Sequence, residues 1–169
     1  MSLALFYTGA LKFGQEQQDP LKSTGGYISS TEIQNNVLGN LFGDLSKYVI
    51  GNNKPEIRII AIQNIGSSTL TGLKAYFDYP HDSESEDSNE AQFEIGYADF
   101  TADGCGDLYV RKITSPYASP YNVTLWPTDG VANALNLPDL VADGYLAIYI
   151  RRILKSSTQQ PLTDQQYLD

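Results

Sequence analysis

Histidine and cysteine are nearly missing from this sequence: its 169 residues contain one of each, His81 and Cys105. A lone cysteine excludes an intrachain disulfide and a zinc site built on several thiolates. A lone histidine makes every Ser-His-Asp or Cys-His arrangement, and every imidazole metal site, depend on one side chain. That side chain opens the acidic run "HDSESEDSNE". A loop of this composition is a poor place to hold a base within hydrogen-bonding reach of a nucleophile, so a solvated His81 is the plainer reading. Cys105 lies between Gly104 and Gly106, with Asp103 and Asp107 beside them, a poor setting for a nucleophilic thiol. Long apolar runs are missing too. The N-terminal "MSLALFYTGALKFG" has no basic leader and is too short for a signal peptide or a membrane span. The expectation is a soluble protein with no membrane partner, no obvious export signal and no cofactor.

Positive charge is absent from one long window. No Lys or Arg lies between Lys74 and Arg111, yet ten of the chain's twenty acids fall there. Outside it, eleven basic residues face ten acids, so the net charge of −9 belongs to one region. No basic stripe suggests nucleic-acid binding, and the acidic window would be repelled by nucleic acid or an anionic membrane.

What is there is a series of strand signals. "LALFYTGAL" is short, apolar and bounded by turn formers. "EIRIIAIQNI", Glu56 to Ile65, becomes apolar on both faces in its middle, as a strand covered on two sides would. "TLTGLKAYFDY", Thr69 to Tyr79, alternates more cleanly, and "NIGSSTL" before it reads as a hairpin turn. "AQFEIGYADF" follows, with Phe93, Ile95 and Tyr97 on one face. Then come the glycine turn "TADGCGD", a strand "DLYVRKI", an extended Pro-rich "SPYASPYNVTLWP" and a last strand "YLAIYIRRIL". The prolines make the Pro-rich segment an edge strand or surface loop. One short helix is expected in "STEIQNNVLGNLF", where Ile33, Val37, Leu38 and Leu41 have helical spacing, Thr31 can cap and Gly43 can stop. A single helical turn is expected before Pro138.

These signals predict an all-β fold, an antiparallel β-sandwich of jelly-roll or Ig-like type, with about seven to nine strands. Residues 1–154 read as one domain and 155–169 as a flexible polar C-terminal arm that can dock through Tyr167 and Leu168.

Few residues invite chemistry. Asp99, Asp103 and Asp107 surround two glycines and are weak candidates for calcium, without the spacing of an EF-hand loop. Carboxylate pairs for glycoside hydrolysis would lie mostly on turns, where nothing fixes their separation. No catalytic residue is assigned, and a protein that is not an enzyme is expected. Tyr117, Tyr121 and Trp126 lie on the Pro-stiffened segment and can stack on sugars or proteins; the bland alternative is that Trp126 is core. Asn122-Val-Thr124 matches a glycosylation acceptor, which means little without a secretory signal. Arg151 and Arg152 are adjacent in a strand, so one of them must face the core side. Arg58 lies in an apolar strand and needs a carboxylate or carbonyl partner, for which Asp44 is the expected group.

Four blocks, "STGGYISST", "NNVLGNLFGDLS", "IRIIAIQN" and "GYLAIYIRR", resemble a family of small structural proteins encoded in tailed-bacteriophage genomes. The shared features are Gly25-Gly26 followed by Ile-Ser, the Leu41-Phe42 knuckle with Asp44, the strand with Arg58 that ends in Asn, and a final strand ending in Arg151-Arg152. The similarity spans roughly Leu5 to Ile153. The acidic run and the Pro-Tyr segment are departures that belong to the variable middle. The resemblance implies a virion component assembled in the host cytoplasm, a capsid decoration or neck or tail part. Its partners would be other virion proteins and itself, and on the alternative reading a host surface glycan. It also implies that Leu41 and Phe42 plug one end of the sandwich and that Phe42 is buried.

Overall fold

Strand β3 (Glu56–Asn64) organises the molecule, and every residue in it except Gln63 is buried. The computed structural model describes residues 2–34, 40–42, 55–77, 91–128 and 130–154, without the side chains of Ala91 and Leu154. Within these, β3 lies between β1 (Leu3–Ala10) and β10 (Tyr145–Leu154), antiparallel to both. Beyond β10 come β5 (Ala91–Ala98) and the edge strand β8 (Trp126–Pro127). Beyond β1 come β2 (Gly26–Glu32), β7 (Leu108–Val110) and the other edge, β6 (Thr101–Ala102). The result is a curled eight-stranded antiparallel sheet. A second, two-stranded sheet pairs β4 (Lys74–Ala75) with β9 (Leu135–Asn136). The fold is all-β and sandwich-like, as the sequence predicts.

Alternation divides the core into two halves. One face of β3 and β10 carries Ile60, Ile62, Leu146, Ile148 and Ile150, joined by Tyr7 and Ile95, and Leu73, Leu135 and Leu140 cover it. The opposite face carries Ile57, Ile59, Ala147 and Tyr149, covered by Val110, Ile113, Val123 and Leu125. Each fully buried isoleucine contributes about 1.5–3 kcal/mol of transfer free energy. That is why two-sided apolar strands take the centre and the alternating ones the flanks. Where β1 turns away after Tyr7, the backbone of Ile59 is satisfied from elsewhere. Its carbonyl accepts from the hydroxyls of Thr8 (2.6 Å) and Ser23 (2.7 Å), and its N–H donates to the Ser23 carbonyl at 2.7 Å. The buried backbone groups of Ile59 thus keep their hydrogen bonds.

Three expectations need correction. The stretch from Thr69 to Tyr79 does not form one strand. Its described part has a lone bridge at Leu70, a break at Gly72 (φ +66°) and only Lys74–Ala75 as regular strand. It does not form a hairpin with β3 either, because it pairs with residues 135–140 and the side chain of Asn64 ties the "NIGSSTL" turn down. Asn64 Nδ2 donates to the carbonyls of Ser68, Leu140 and Val141, and its Oδ1 accepts from Gly66 N–H. Thr31 lies in β2 and caps no helix; residues 35–39 and Gly43 are outside the described residues. Among the described residues the helical turns are two short 3₁₀ turns, Pro20–Lys22 and Val131–Asn133, the second where a turn before Pro138 is expected.

Candidate functional site

Three of the four blocks meet at one buried ionic node. Glu56 and Arg58 are two apart on β3, so they share a face. On β10, Arg152 stands directly opposite Glu56, and Phe93 of β5 stands opposite Arg152. The Glu56 carboxylate therefore takes both cations: Oε1 pairs with Arg58 and Oε2 with Arg152 Nη2 at 2.8 Å. Arg58 also donates through Nη1 to the Ile57 carbonyl at 3.0 Å. The Phe42 ring covers the node, with the guanidinium carbons of Arg152 and Arg58 at 4.7 and 5.4 Å from its centroid. Phe42 meets Phe93 edge-on at 5.9 Å, and Phe93 stacks on Phe77 at 4.4 Å. Tyr7 donates its hydroxyl to the Asn40 carbonyl at 2.9 Å, which fastens the knuckle to β1. Burial raises the pKa of that phenol, keeping it a donor.

The knuckle is therefore a lid over charge as much as a plug. Leu41 and Phe42 pack against the first core half but are half-buried, not fully buried as expected for Phe42. A planar cation against an aromatic face gains from the ring quadrupole, and more so where water is excluded. The carboxylate expected for Arg58 was Asp44; among the described residues it is Glu56, and Asp44 lies outside them. Arg151 points to the opposite face, half-buried, and pairs with Glu94 across β5. The expectation that one arginine of the pair meets the core side holds, and that arginine is Arg152.

Gly25 and Gly26 belong to a different place. Both have φ +100°; a Cβ on Gly25 would stand 2.7 Å from the Arg111 carbonyl, just past the end of β7, and one on Gly26 would meet only the movable end of the Lys112 side chain, 2.8 Å from its Cε. The double glycine lets residues 111–112 lie directly against β2.

The acidic turn between β6 and β7 is built around one carboxylate. Asp103 Oδ1 accepts from the N–H groups of Cys105 (2.8 Å) and Asp107 (2.9 Å), and Oδ2 accepts from the Tyr27 hydroxyl at 2.8 Å. The tyrosine bond first, and the backbone bonds with it, hold Asp103 below the usual carboxylate range. The same side-chain bond, then burial and the nearby carboxylates, push Tyr27 up. Asp103 thus serves the turn. Asp99 is exposed, and among the described residues no three His, Cys, Asp or Glu side chains gather as a metal site would require. His81 lies outside the described residues, and Cys105 is exposed on the turn.

The aromatic segment is at the surface. Trp126 is 53% exposed on the edge strand β8, Tyr117 47% and Tyr121 65%. The alternative that placed Trp126 in the core is set aside. Gly96 lets this edge dock, since a Cβ there would stand 2.4 Å from the Thr124 carbonyl.

Reasoning from sequence missed Glu56, although its position two residues before Arg58 is the alternation signal for a same-face partner. It also missed Asn64 as a brace, and the Tyr27–Tyr109 pair, for which no local pattern exists. No protein-family model, curated protein or solved structure matches this chain.

Proposed function

We propose that this protein is a structural component of a tailed-phage particle, a capsid decoration or neck- or tail-associated subunit that acts through protein–protein contacts. The supporting observation is the convergence of three of the four resemblance blocks, through Phe42, Arg58 and Arg152, on one buried node. Residues that meet inside a fold specify the scaffold, and contact chemistry is then left to the outside. A subunit present in many copies needs little affinity per site, because linked contacts multiply. In this reading the chain binds and does not transform, its partners are other virion proteins and further copies of itself, and residues 155–169 act as an arm that strengthens incorporation. The test is a quantitative mass-spectrometric inventory of purified particles. Many copies per particle are expected, with fewer after deletion of Lys155–Asp169 while the domain stays folded. Protein found only in host cytosol overturns the reading, and an unchanged copy number removes the role of the arm.

A second reading, a carbohydrate-binding or adhesion module, is favoured by the exposure of Trp126, Tyr117 and Tyr121. It expects glycan binding that Trp126→Ala abolishes with the fold intact. An empty glycan array removes it.

A further inference from the structure

We propose that the open cleft bordered by β2, β6 and β7 binds an acidic saccharide, a sugar ring carrying a carboxylate. The cleft has a volume of about 710 Å³. Tyr27 and Tyr109 line it from directly opposite register positions, their rings 6.0 Å apart and tilted by 53°. Such rings offer an apolar face to the C–H side of a pyranose at little cost in side-chain entropy. The Tyr27 ring is fixed by its hydroxyl's bond to Asp103. An ionised carboxylate has about four acceptor sites, so Asp103 retains one for a sugar hydroxyl.

Arg111 and Lys112 supply the charge. Both line the cleft, both are exposed, and among the described residues no carboxylate forms an ion pair with either. The Arg111 guanidinium lies over the Tyr121 ring at 4.3 Å. Stacking occupies the face of the group and leaves its edge donors for bidentate contact with a carboxylate. The glycine pair that brings residues 111–112 against β2 makes this placement a product of the backbone. In a chain of net charge −9, a small cationic site suits a ligand with one isolated acid, and a long polyanion would be repelled by the rest. The inference rests on the saccharide reading above in its ligand class only. It shares only Tyr121 with that reading, as the ring under Arg111, and it is independent of the virion reading.

The test is an equilibrium titration of the full chain by calorimetry. The ligands are a neutral galactose oligomer, the same oligomer carrying a single galacturonate unit, an oligosaccharide ending in N-acetylneuraminate, and oligodeoxythymidine. The proteins are the wild type, Arg111→Gln, Tyr109→Ala and Trp126→Ala, each checked for an unchanged melting temperature. An acidic oligosaccharide is expected to bind about tenfold or more tighter than the neutral one, the worth of a charge-assisted contact. Arg111→Gln should erase that preference, Tyr109→Ala should weaken all saccharides, and Trp126→Ala should change nothing. No preference for the acidic sugars, tighter binding of oligodeoxythymidine, or a preference that survives Arg111→Gln overturns the proposal. Saccharide binding lost with Trp126→Ala but kept with Arg111→Gln would move the site to the edge strand and sink the cleft alone.

Discussion

Guanidinium groups lie on aromatic rings at two places in this molecule, with opposite consequences. Arg58 and Arg152 lie under Phe42, buried, and share the carboxylate of Glu56. Arg111 lies over Tyr121 in the open, with no carboxylate against it among the described residues. Residue chemistry is nearly the same in both; what differs is water. In the node the charges have lost their hydration, so removing one member of the shared ion pairs is costly. At the cleft the cation keeps its hydration, contributes little to stability and stays available to a ligand. The first place is scaffold and the second is surface for recognition.

The largest effect expected from breaking this contrast comes from Glu56. Glu56→Gln keeps the side-chain shape but removes the carboxylate that two buried guanidinium groups share, and should cost about 3–5 kcal/mol in urea denaturation. Phe42→Ala should follow at about 2 kcal/mol, below the range for a fully buried phenylalanine because this ring is half-buried. A Phe42→Leu variant, which restores area but no ring face, should recover only part of the loss. Arg111→Gln should move the unfolding free energy by less than about 0.5 kcal/mol, as exposed substitutions do. A large loss there would erase the distinction between the two sites.

The smallest effect concerns the turn beneath the cleft. Because Asp103 is held below its ordinary range in the folded chain, its support for the turn is present above the usual carboxylate pKa. That support is lost as pH falls through the depressed value. Carboxyl NMR should show Asp103 titrating below the ordinary aspartate range, and Tyr27→Phe should move it upward. An Asp103 that titrates within that range would mean that the hydroxyl bond is not formed in solution.

The central strands were legible because their pattern is local. Ile57, Ile59, Ile60 and Ile62 make a strand buried on both faces with no other reading, and the final strand ends where its apolar run ends. The turn "TADGCGD" was legible from its glycines. The stretch after Thr69 was not, because its alternation is real but its pairing partner lies some sixty residues away. The need of Arg58 for an anion was legible from its apolar strand, and strand alternation puts Glu56 on the same face; Asp44, the group expected beside the knuckle, lies outside the described residues. The cleft was illegible for a stronger reason. Tyr27, Asp103, Tyr109 and Arg111 come together only when β7 pairs with β2, and no spacing along the chain encodes that meeting.

The claim that one carboxylate joins the shared blocks into a scaffold is tested most directly by a double-mutant cycle on Glu56→Gln and Arg152→Gln, read by urea denaturation. Strong coupling is expected: the double variant should be less destabilised than the two single losses added, by about 1–3 kcal/mol. Additive losses would mean that the two side chains do not share an ion pair, and the node would not be what holds these strands together.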